Sequence, residues 1–339
     1  MKLFNADFIT QSWYQSSPWL YLLFPFFLLY AFVIFCRKSL YRLKLLSSFR
    51  APIPVVIVGN ITVGGTGKSP LVTYLVESFQ AMGYQPGVVS RGYGAALAGS
   101  QVREVLISST AREVGDEPLM LKRRLNCPVF VSPSRRLAVQ ALMKSGCDIV
   151  IADDGLQHYA LARDIEICVF DGQRGWGNGY LLPMGPLREP LSRVNSCDFI
   201  VVNGPNALHE PRLSKAFQMD LQKEDLINLQ SHESKSIVEF SGQTVNAVAA
   251  IGNPERFFAT LESQGLTIER HAFDDHHRYQ KSDLEFSKPY PIIMTEKDAV
   301  KCHHLHLNQA WYMPVSATLS GDLASEIVKK LKSNNSFKR

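Results

Sequence analysis

Residues 55–69 read VVIVGNITVGGTGKS, a β-branched run that leads directly into a glycine-rich loop. The loop fits the end of the phosphate-binding pattern GxxxxGK[ST], whose glycines allow successive backbone N–H groups to face the phosphates of a nucleotide. In that pattern a lysine neutralises the phosphates and a hydroxyl helps to hold magnesium, and Lys68 and Ser69 occupy these two positions. The stretch predicts a strand, a nucleoside triphosphate site and a helix. The predicted nucleotide-binding residues are Thr62, Val63, Gly64, Gly65, Thr66, Gly67, Lys68 and Ser69.

The loop departs from the consensus at one position, because Thr62 stands where the first glycine is expected. Taken alone, the loop is also compatible with a glycine-rich turn that contains Gly-Lys-Ser by chance. Its surroundings favour the nucleotide site, since an apolar strand precedes it and Pro70 follows at an early helical position.

A phosphate-loop site also needs a carboxylate at the end of a neighbouring strand, where it holds magnesium directly or through water. Residues 148–155 read DIVIADDG and supply Asp153 and Asp154. Two adjacent side chains cannot both point inward from one extended strand. The pattern therefore predicts a magnesium site that uses Ser69 with Asp153 or Asp154, and it leaves the choice between the two open.

The rest of the chain alternates short apolar runs with amphipathic stretches, which is typical of βαβ units. We predict strands at 87–90, 129–132, 148–152, 165–170 and 199–203, and helices at 70–82 and 134–145. This pattern indicates an α/β fold of the phosphate-loop type, with a mostly parallel sheet and helices on both faces. The polar stretch 206–236 is expected to lead into a smaller α/β domain with strands at 245–251, 292–295 and 311–315. The predicted domains are 1–50, 51–236 and 237–339, with a frayed tail at 333–339.

The N-terminal segment Pro18 to Cys36 contains no charged residue and is apolar all round. As a helix it is about 28 Å long, close to the thickness of a bilayer core, and Pro25 is expected to kink it. A buried core helix is the alternative, although the many aromatic residues and the missing polar face argue against it. A basic flank, residues 37–50, follows, and by the positive-inside rule it places the later domains on the cytoplasmic side of the membrane. Whether the segment spans the bilayer or lies in one leaflet is left open.

Composition narrows the function further. A net charge of +5 over 339 residues, part of it in the basic flank, does not indicate nucleic-acid binding. Six cysteines without a CxxC pair indicate a reducing compartment. Nothing in the sequence indicates an obligate protein partner.

Several further motifs occur together: SRGYG at 90–94, GDEP at 115–118, DDGLQH at 153–158, LPMGPLREP at 182–190, DHH at 275–277 and TEKD at 295–298. With the apolar helix and the phosphate loop, they make the chain resemble the tetraacyldisaccharide 4′-kinases, which phosphorylate a lipid A precursor in Gram-negative bacteria. The loop of that family also lacks the first glycine. The resemblance implies ATP and Mg²⁺ as cofactors and a lipid disaccharide 1-phosphate as the substrate. It further implies that the γ-phosphate goes to the 4′-hydroxyl, giving lipid IVA, at a membrane surface that residues 18–36 contact.

The resemblance also implies roles for particular residues. Asp116 is expected to accept the hydroxyl proton together with His276, although the neighbouring His277 remains an alternative. Lys68, Arg188 and Glu189 are expected near the transferred phosphate. The expected substrate-binding residues are Arg91, Gln157 and His158. Without the resemblance, Asp116 indicates only a helix N-cap, and Arg188 with Glu189 a surface ion pair.

Two other functions are compatible with a phosphate loop. A membrane-associated NTPase that acts as a hydrolytic switch needs a base-reading Asn-Lys-x-Asp loop, which Thr295-Glu296-Lys297-Asp298 only half fits. Lys297 follows an apolar strand, so a base-reading loop and a plain turn are both possible there. A regulatory nucleotide-binding module without chemistry is the second alternative. We do not predict a metal site at Cys302-His303-His304-Leu305-His306, because the spacing does not place three ligands on one helix face.

Overall fold

The computed structural model describes residues 6–205, 213–307 and 309–334. The strands are, in chain order, β1 (Val55–Gly59), β2 (Pro86–Ser90), β3 (Arg103–Glu104), β4 (Val129–Val131), β5 (Ile149–Asp153), β6 (Ile165–Asp171), β7 (Phe199–Asn203), β8 (Phe217–Lys223), β9 (Leu226–Asn228), β10 (Ser234–Lys235), β11 (Thr244–Ala249), β12 (Thr267–Ala272), β13 (Ile292–Thr295), β14 (Ala310–Met313) and β15 (Val315–Leu319). The α-helices are α1 (Ala6–Gln15), α2 (Phe24–Arg42), α3 (Lys68–Ala81), α4 (Ala111–Val114), α5 (Asp116–Arg124), α6 (Arg135–Met143), α7 (Pro254–Glu262), α8 (Glu296–Cys302) and α9 (Leu323–Ser333).

The larger sheet has nine strands in the order β15-β8-β7-β6-β1-β5-β2-β4-β3. It is parallel except at its two edges, where β3 and β15 are antiparallel to their neighbours. The strand before the phosphate loop, β1, lies at the centre between β5 and β6. Its register pairs Val58 with Asp153, so the loop and the aspartate pair emerge side by side from the same edge of the sheet.

The central strands β1, β2, β4, β5 and β6 are buried on both faces, which explains why their sequences are mostly apolar. Val56 and Val58 face a core that α3, α5 and α9 complete. Val55 and Ile57 face the opposite core, which α6 covers. The predicted α/β class, with a mostly parallel sheet and helices on both faces, is confirmed.

The smaller sheet has six strands in the order β10-β9-β14-β13-β11-β12. Phe257, Phe258 and Leu261 of α7 pack into the core on one face. Ala299 and Cys302 of α8 pack into the core on the other.

The two sheets do not divide the chain at residue 237. Strands β9 and β10 precede that residue yet belong to the smaller sheet, whereas β15 and α9 return to the larger one. Strand β8 also lies in the stretch 206–236, for which the sequence predicts no strong apolar strand. It alternates Phe217, Met219 and Leu221 with polar residues, because only part of this near-edge strand is buried. Residues 206–212 and 335–339 of the predicted linker and tail lie outside the described part of the chain.

The apolar N-terminal segment forms a 3-10 helix over Pro18–Leu23 and then α2. Pro25, at which the sequence predicts a kink, lies in the first turn of α2, where a proline costs no hydrogen bond, and the 3-10 helix ends two residues before it. Within Pro18–Arg42, an 18-residue window has a mean hydropathy of 2.3, and only 6% of that window is buried. The helix is therefore long and apolar enough to cross a membrane, and little of its apolar surface is covered by the protein.

Candidate active site

The phosphate loop joins the end of β1 to the start of α3, and its shape depends on two glycines and on a contact with β7. Gly64 and Gly67 have φ angles of 102° and 88°, a region that favours glycine. The side-chain amide of Asn203 donates a hydrogen bond to the carbonyl of Thr66 at 3.2 Å. A Cβ atom at Gly67 would lie 2.5 Å from that amide nitrogen. The conformation of the loop therefore requires glycine at position 67, because of the backbone angle and because Asn203 approaches closely.

The departure at Thr62 has a structural cause. Thr62 is buried and forms a β-bridge with Leu187. On either side of this bridge, the N–H of Val63 donates to Pro186 at 2.8 Å and the N–H of Arg188 donates to Ile61 at 2.6 Å. The start of the loop is thus extended and paired with the segment 182–190. An extended position does not require glycine, and the pairing brings Arg188 to the phosphate loop.

Cationic and anionic side chains meet beside the loop. Asp154 follows β5 in a left-handed conformation with φ 47°. The guanidinium of Arg188 donates to both of its carboxylate oxygens, at 3.2 and 3.0 Å, and the Lys68 ammonium lies 3.5 Å from Oδ1. Burial raises the pKa of Asp154, but these two cations outweigh it and the pKa is lowered overall. Asn60, which the sequence did not single out, also accepts from Lys68 at 3.5 Å.

Asp153 differs from Asp154 in that its carboxylate is buried and neither of its oxygens has a hydrogen-bond partner among the described residues. The residue is 1% exposed. Burial, followed by the nearby charge of Glu117, raises the pKa of Asp153 to about 7. A buried carboxylate with two unsatisfied oxygens is costly unless a cation compensates it. The donor set at this strand end therefore fits a hard divalent cation such as magnesium.

Asp116 is the first residue of α5, and it faces His276 on the smaller sheet's side of the molecule. It is 5% exposed, and Nδ1 of His276 lies 2.8 Å from its Oδ2 and 3.1 Å from its Oδ1. The hydrogen bond to Asp116 is the main cause that raises the pKa of His276. Asp116 does not cap its helix, because Gly115 is the N-cap and the carboxylate faces the imidazole. We call each sheet with its helices an α/β unit. The pair joins the larger and the smaller unit, since Asp116 belongs to α5 of the larger one and His276 follows β12 of the smaller one.

His277 and the Thr-Glu-Lys-Asp motif lie differently from what the sequence suggests. The Nε2 atom of His277 lies 3.1 Å from Asp283, so this ring does not pair with Asp116. Thr295 accepts from the Asp298 N–H at 3.2 Å and starts α8. The motif is thus a helix N-terminus, and we find no support for a base-reading loop. Its lysine, Lys297, lies 3.1 Å from Glu117, 3.2 Å from Asp275 and 4.0 Å from Asp116.

Glu189 is 1% exposed, and its oxygens are engaged by other side chains. It accepts from Gln157 at 3.0 Å and from the hydroxyl of Tyr159 at 2.5 Å, and Arg193 Nε lies 3.3 Å away. The same Gln157 amide nitrogen donates to the carbonyl of Asn60 at 3.0 Å. Glu189 is therefore tied to the base of the phosphate loop through Gln157 rather than exposed in a surface ion pair.

The predicted substrate-binding residues surround a basic region. His158 is partly buried, and burial together with the charges of nearby arginines lowers its pKa to about 4. These arginines are Arg135, Arg163, Arg37 and Arg91. Arg91 is exposed at the end of β2. Arg135 was missed by sequence reasoning, although it starts a helix just after β4. It is buried, donates to the backbone carbonyl of Asp153 at 2.7 Å, and leaves Nε and Nη1 without a partner among the described residues.

The apolar helix α2 borders this site. The Tyr30 hydroxyl donates to the carbonyl of Arg188 at 3.2 Å. Phe27 packs edge-on against Tyr180, and Tyr41 contacts Tyr159 with ring centroids 5.8 Å apart. The helix thus lies along the loop that carries Arg188.

Other described groups do not add a metal centre. Within the ranges that the structure covers, no cluster of three or more His, Cys, Asp or Glu side chains is arranged to hold a metal ion. Cys302 is buried in the core between α8 and the smaller sheet, and burial raises the pKa of its thiol to about 12.

Comparison with known proteins identifies similar chains over nearly the whole length. The chain is 47% identical over 323 residues to a tetraacyldisaccharide 4′-kinase of Aeromonas hydrophila, covering 94% of each protein. It is 44% identical over 329 residues to one of Methylobacillus flagellatus, covering 96% of each. A crystal structure of LpxK from Aquifex aeolicus in complex with ATP is similar with a TM-score of 0.77 and 27% identity, over 93% of this chain and 98% of that one. The family model for LpxK, tetraacyldisaccharide-1-P 4′-kinase, matches residues 19–332, and the chain belongs to this family.

Proposed function

We propose that this chain transfers the γ-phosphate of ATP to the 4′-hydroxyl of a tetraacyl glucosamine disaccharide 1-phosphate at the cytoplasmic face of the inner membrane. The observation that carries the proposal is the Asp116–His276 pair, which joins the two α/β units beside the phosphate loop. The cleft between the two units is narrow beside the phosphate loop. A Cβ atom at Gly252 of the smaller unit would lie 3.6 Å from the backbone nitrogen of Gly65 and 3.8 Å from Asp275. A hydroxyl acceptor and a nucleotide bound in this cleft would meet between the two units.

Three groups account for binding of the transferred phosphate. The backbone of Gly64 to Gly67 supplies N–H donors, and Lys68 and Arg188 supply positive charge. Both cations contact Asp154. We infer that Asp154 keeps them at the end of the loop, so that little rearrangement is needed when phosphate oxygens take over these contacts.

Magnesium would be held by Asp153 and by the Ser69 hydroxyl, which lies in the first turn of α3. When bound, the ion would neutralise charge on the phosphates of ATP. Between the two adjacent aspartates we favour Asp153 as the ligand, because its oxygens are unsatisfied whereas those of Asp154 already accept hydrogen bonds from Arg188.

The transfer step itself is a simple displacement. The 4′-hydroxyl oxygen forms a bond to the γ-phosphorus while the bond from that phosphorus to the β–γ bridging oxygen breaks, and ADP leaves. The hydroxyl proton goes to the Asp116–His276 pair, which we treat as one acceptor because the two groups share a hydrogen bond. Lys68 and Arg188 stabilise the charge on the phosphoryl oxygens during the transfer.

We propose that Glu189 positions other groups and does not touch the reacting atoms. Its carboxylate fixes Gln157, which in turn holds the carbonyl of Asn60 below the loop. Arg91 and the neutral imidazole of His158 belong to a basic region that suits the anionic disaccharide.

The membrane contact follows from α2. Its contacts with the catalytic unit run from Phe27 to Tyr41, about 21 Å of helix, while side chains on its other sides, such as Phe32 and Phe35, are 64% and 68% exposed. A helix that is packed along its own domain in this way is suited to lie in one leaflet. We therefore propose that α2 holds the active site at the membrane surface, where the sugar of a lipid substrate is found.

The proposal is tested by measuring ADP formation by the full-length protein with and without the lipid disaccharide 1-phosphate. A kinase releases ADP only with the acceptor present and forms a product phosphorylated at the 4′ position. A hydrolytic switch instead releases ADP and phosphate without any acceptor. The second result, or a product phosphorylated at another position, would contradict the proposal.

A further inference from the structure

The ammonium of Lys297 is surrounded by three carboxylates at the junction of the two units. Lys297 lies in the first turn of α8, on the smaller unit. Glu117 and Asp116, which begin α5, belong to the larger unit, and Asp275 precedes His276 in the smaller one. The side chain is 16% exposed. A lysine buried this far keeps its charge only with compensating anions, and here the surrounding carboxylates raise its pKa despite burial.

We propose that Lys297 is a positioning residue for phosphoryl transfer, which holds α5 against α8 and keeps the Asp116–His276 pair in its proton-accepting form. This inference rests on the proposed role of that pair. The geometry supports two effects. First, Lys297 bridges the helix that carries Asp116 and the loop that carries His276, so it fixes the distance between them. Second, its positive charge lies 4.0 Å from the carboxylate that receives the proton.

Other charged groups also act on the pair. His276 faces Asp116 of α5 and Lys297 of α8, and its Nε2 lies 3.8 Å from Asp275. The ring of Tyr93 covers it at 5.1 Å between centroids. The charge of Lys301, one turn further along α8, also lowers the pKa of Asp116. Among these groups, Lys297 lowers the pKa of both members of the pair, whereas Asp275 raises that of His276.

These pKa shifts determine how the pH dependence of activity changes when Lys297 is replaced. A proton acceptor must be free of its proton when the substrate binds. Removing the charge of Lys297 raises the pKa of both Asp116 and His276, so the pair is protonated at a higher pH. Activity is then lost earlier as the pH falls.

The test is the pH profile of kcat/KM for the full-length enzyme with ATP and the lipid disaccharide 1-phosphate. Lys297→Met removes the charge and retains most of the side-chain stem. We expect its acid limb to move up by about one pH unit, which corresponds to about tenfold lower kcat/KM at a fixed pH on that limb. Lys297→Arg retains the charge, and its acid limb should stay at the wild-type position.

Arg124→Met is the matched control. Arg124 of α5 forms an ion pair with Glu296 of α8 at 3.1 Å, and it also pairs with Glu224. The substitution removes one cation from the same interface without touching the catalytic pair. Its acid limb should therefore coincide with that of the wild type. A shift as large as that of Lys297→Met would show that loosened docking is the cause, and the inference would be overturned.

Asp275→Asn keeps the inference testable if Lys297→Met does not fold. Asp275 is 42% exposed, so its substitution should be tolerated. Removal of this negative charge lowers the pKa of His276, and the acid limb should move down, opposite to Lys297→Met. An acid limb that stays in place or moves up in Asp275→Asn, or one that stays in place in Lys297→Met, would refute the inference. Its failure is distinguishable from failure of the proposed function, since only the latter allows Asp116→Asn to retain wild-type turnover.

Discussion

Replacing Gly67 by alanine tests the close packing that shapes the phosphate loop. Gly67 has a φ of 88°, and a left-handed backbone costs a non-glycine residue about 1–2 kcal/mol. The new Cβ would lie 2.5 Å from the Asn203 amide nitrogen, so Asn203 has to move and give up its hydrogen bond to Thr66, worth about 1 kcal/mol. Together these terms amount to about 2–3 kcal/mol against the binding-competent loop, or about 30- to 150-fold weaker ATP binding.

The measurement is the dissociation constant of ATP by isothermal titration, with thermal melting in parallel. Gly83→Ala is the control, because Gly83 also has a positive φ, 84°, but no atom lies within 4 Å of the position that its new Cβ would take, and it is remote from the loop. Its Tm should fall while its ATP affinity is unchanged. Adding Asn203→Ala to Gly67→Ala should remove the clash but not the backbone cost. If Gly67→Ala bound ATP within twofold of the wild type, the reasoning about this contact would be refuted.

Three further outcomes are expected. Arg188→Met should lower kcat by about 100-fold in the ADP-release assay, because it removes a cation from the phosphoryl site; an unchanged kcat would contradict that placement. Glu189→Gln should destabilise the protein by about 1–3 kcal/mol in urea unfolding, because Arg193 loses a buried anionic partner; wild-type stability would show that the network is not needed for folding. Because the hydrogen bond that His276 donates to Asp116 raises the pKa of His276, kcat/KM should fall as the pH drops through a midpoint above 6.5, and a midpoint below 6.5 would contradict that assignment.

The sequence predicts the local part of the site well because its signals are local. Strand β1, the loop and helix α3 form one continuous stretch, and a β-branched run, positive-φ glycines and a helix start are adjacent in it. The placement of Asp153 at the end of a neighbouring parallel strand follows from the same logic, since parallel strands present their carboxyl ends at one edge.

Contacts between distant segments could not be predicted in the same way. The bridge between Thr62 and Leu187 joins residues with no shared local pattern, although it explains the absent glycine. Lys297 lies in the first turn of α8, whose N-cap is Thr295, and nothing nearby in sequence shows that Glu117 and Asp275 surround it. Arg135 likewise contacts the backbone of Asp153 from a different element. Here the resemblance to a family located Asp116 and His276, but only the fold shows that they bond to each other.

The assignment of strands to the two sheets could not be predicted from the sequence for a related reason. Strand β8 buries only some of its side chains, so its alternating sequence resembles a polar linker. Strand β15 and helix α9 return to the larger sheet after the smaller one is complete, and such a return leaves no mark in composition. Periodicity therefore identifies elements whose burial is continuous more readily than it identifies which sheet they join.

The most direct test of the account is the rate of 4′-phosphorylated product formation by the wild type and by Asp116→Asn, at saturating ATP and lipid disaccharide 1-phosphate. Asparagine retains the shape of the side chain but not its basicity, so we expect at least a 100-fold lower rate, with ATP affinity within about threefold of the wild type because Asp116 lies outside the phosphate loop. Wild-type rates in Asp116→Asn would contradict the assignment of the Asp116–His276 pair as the proton acceptor.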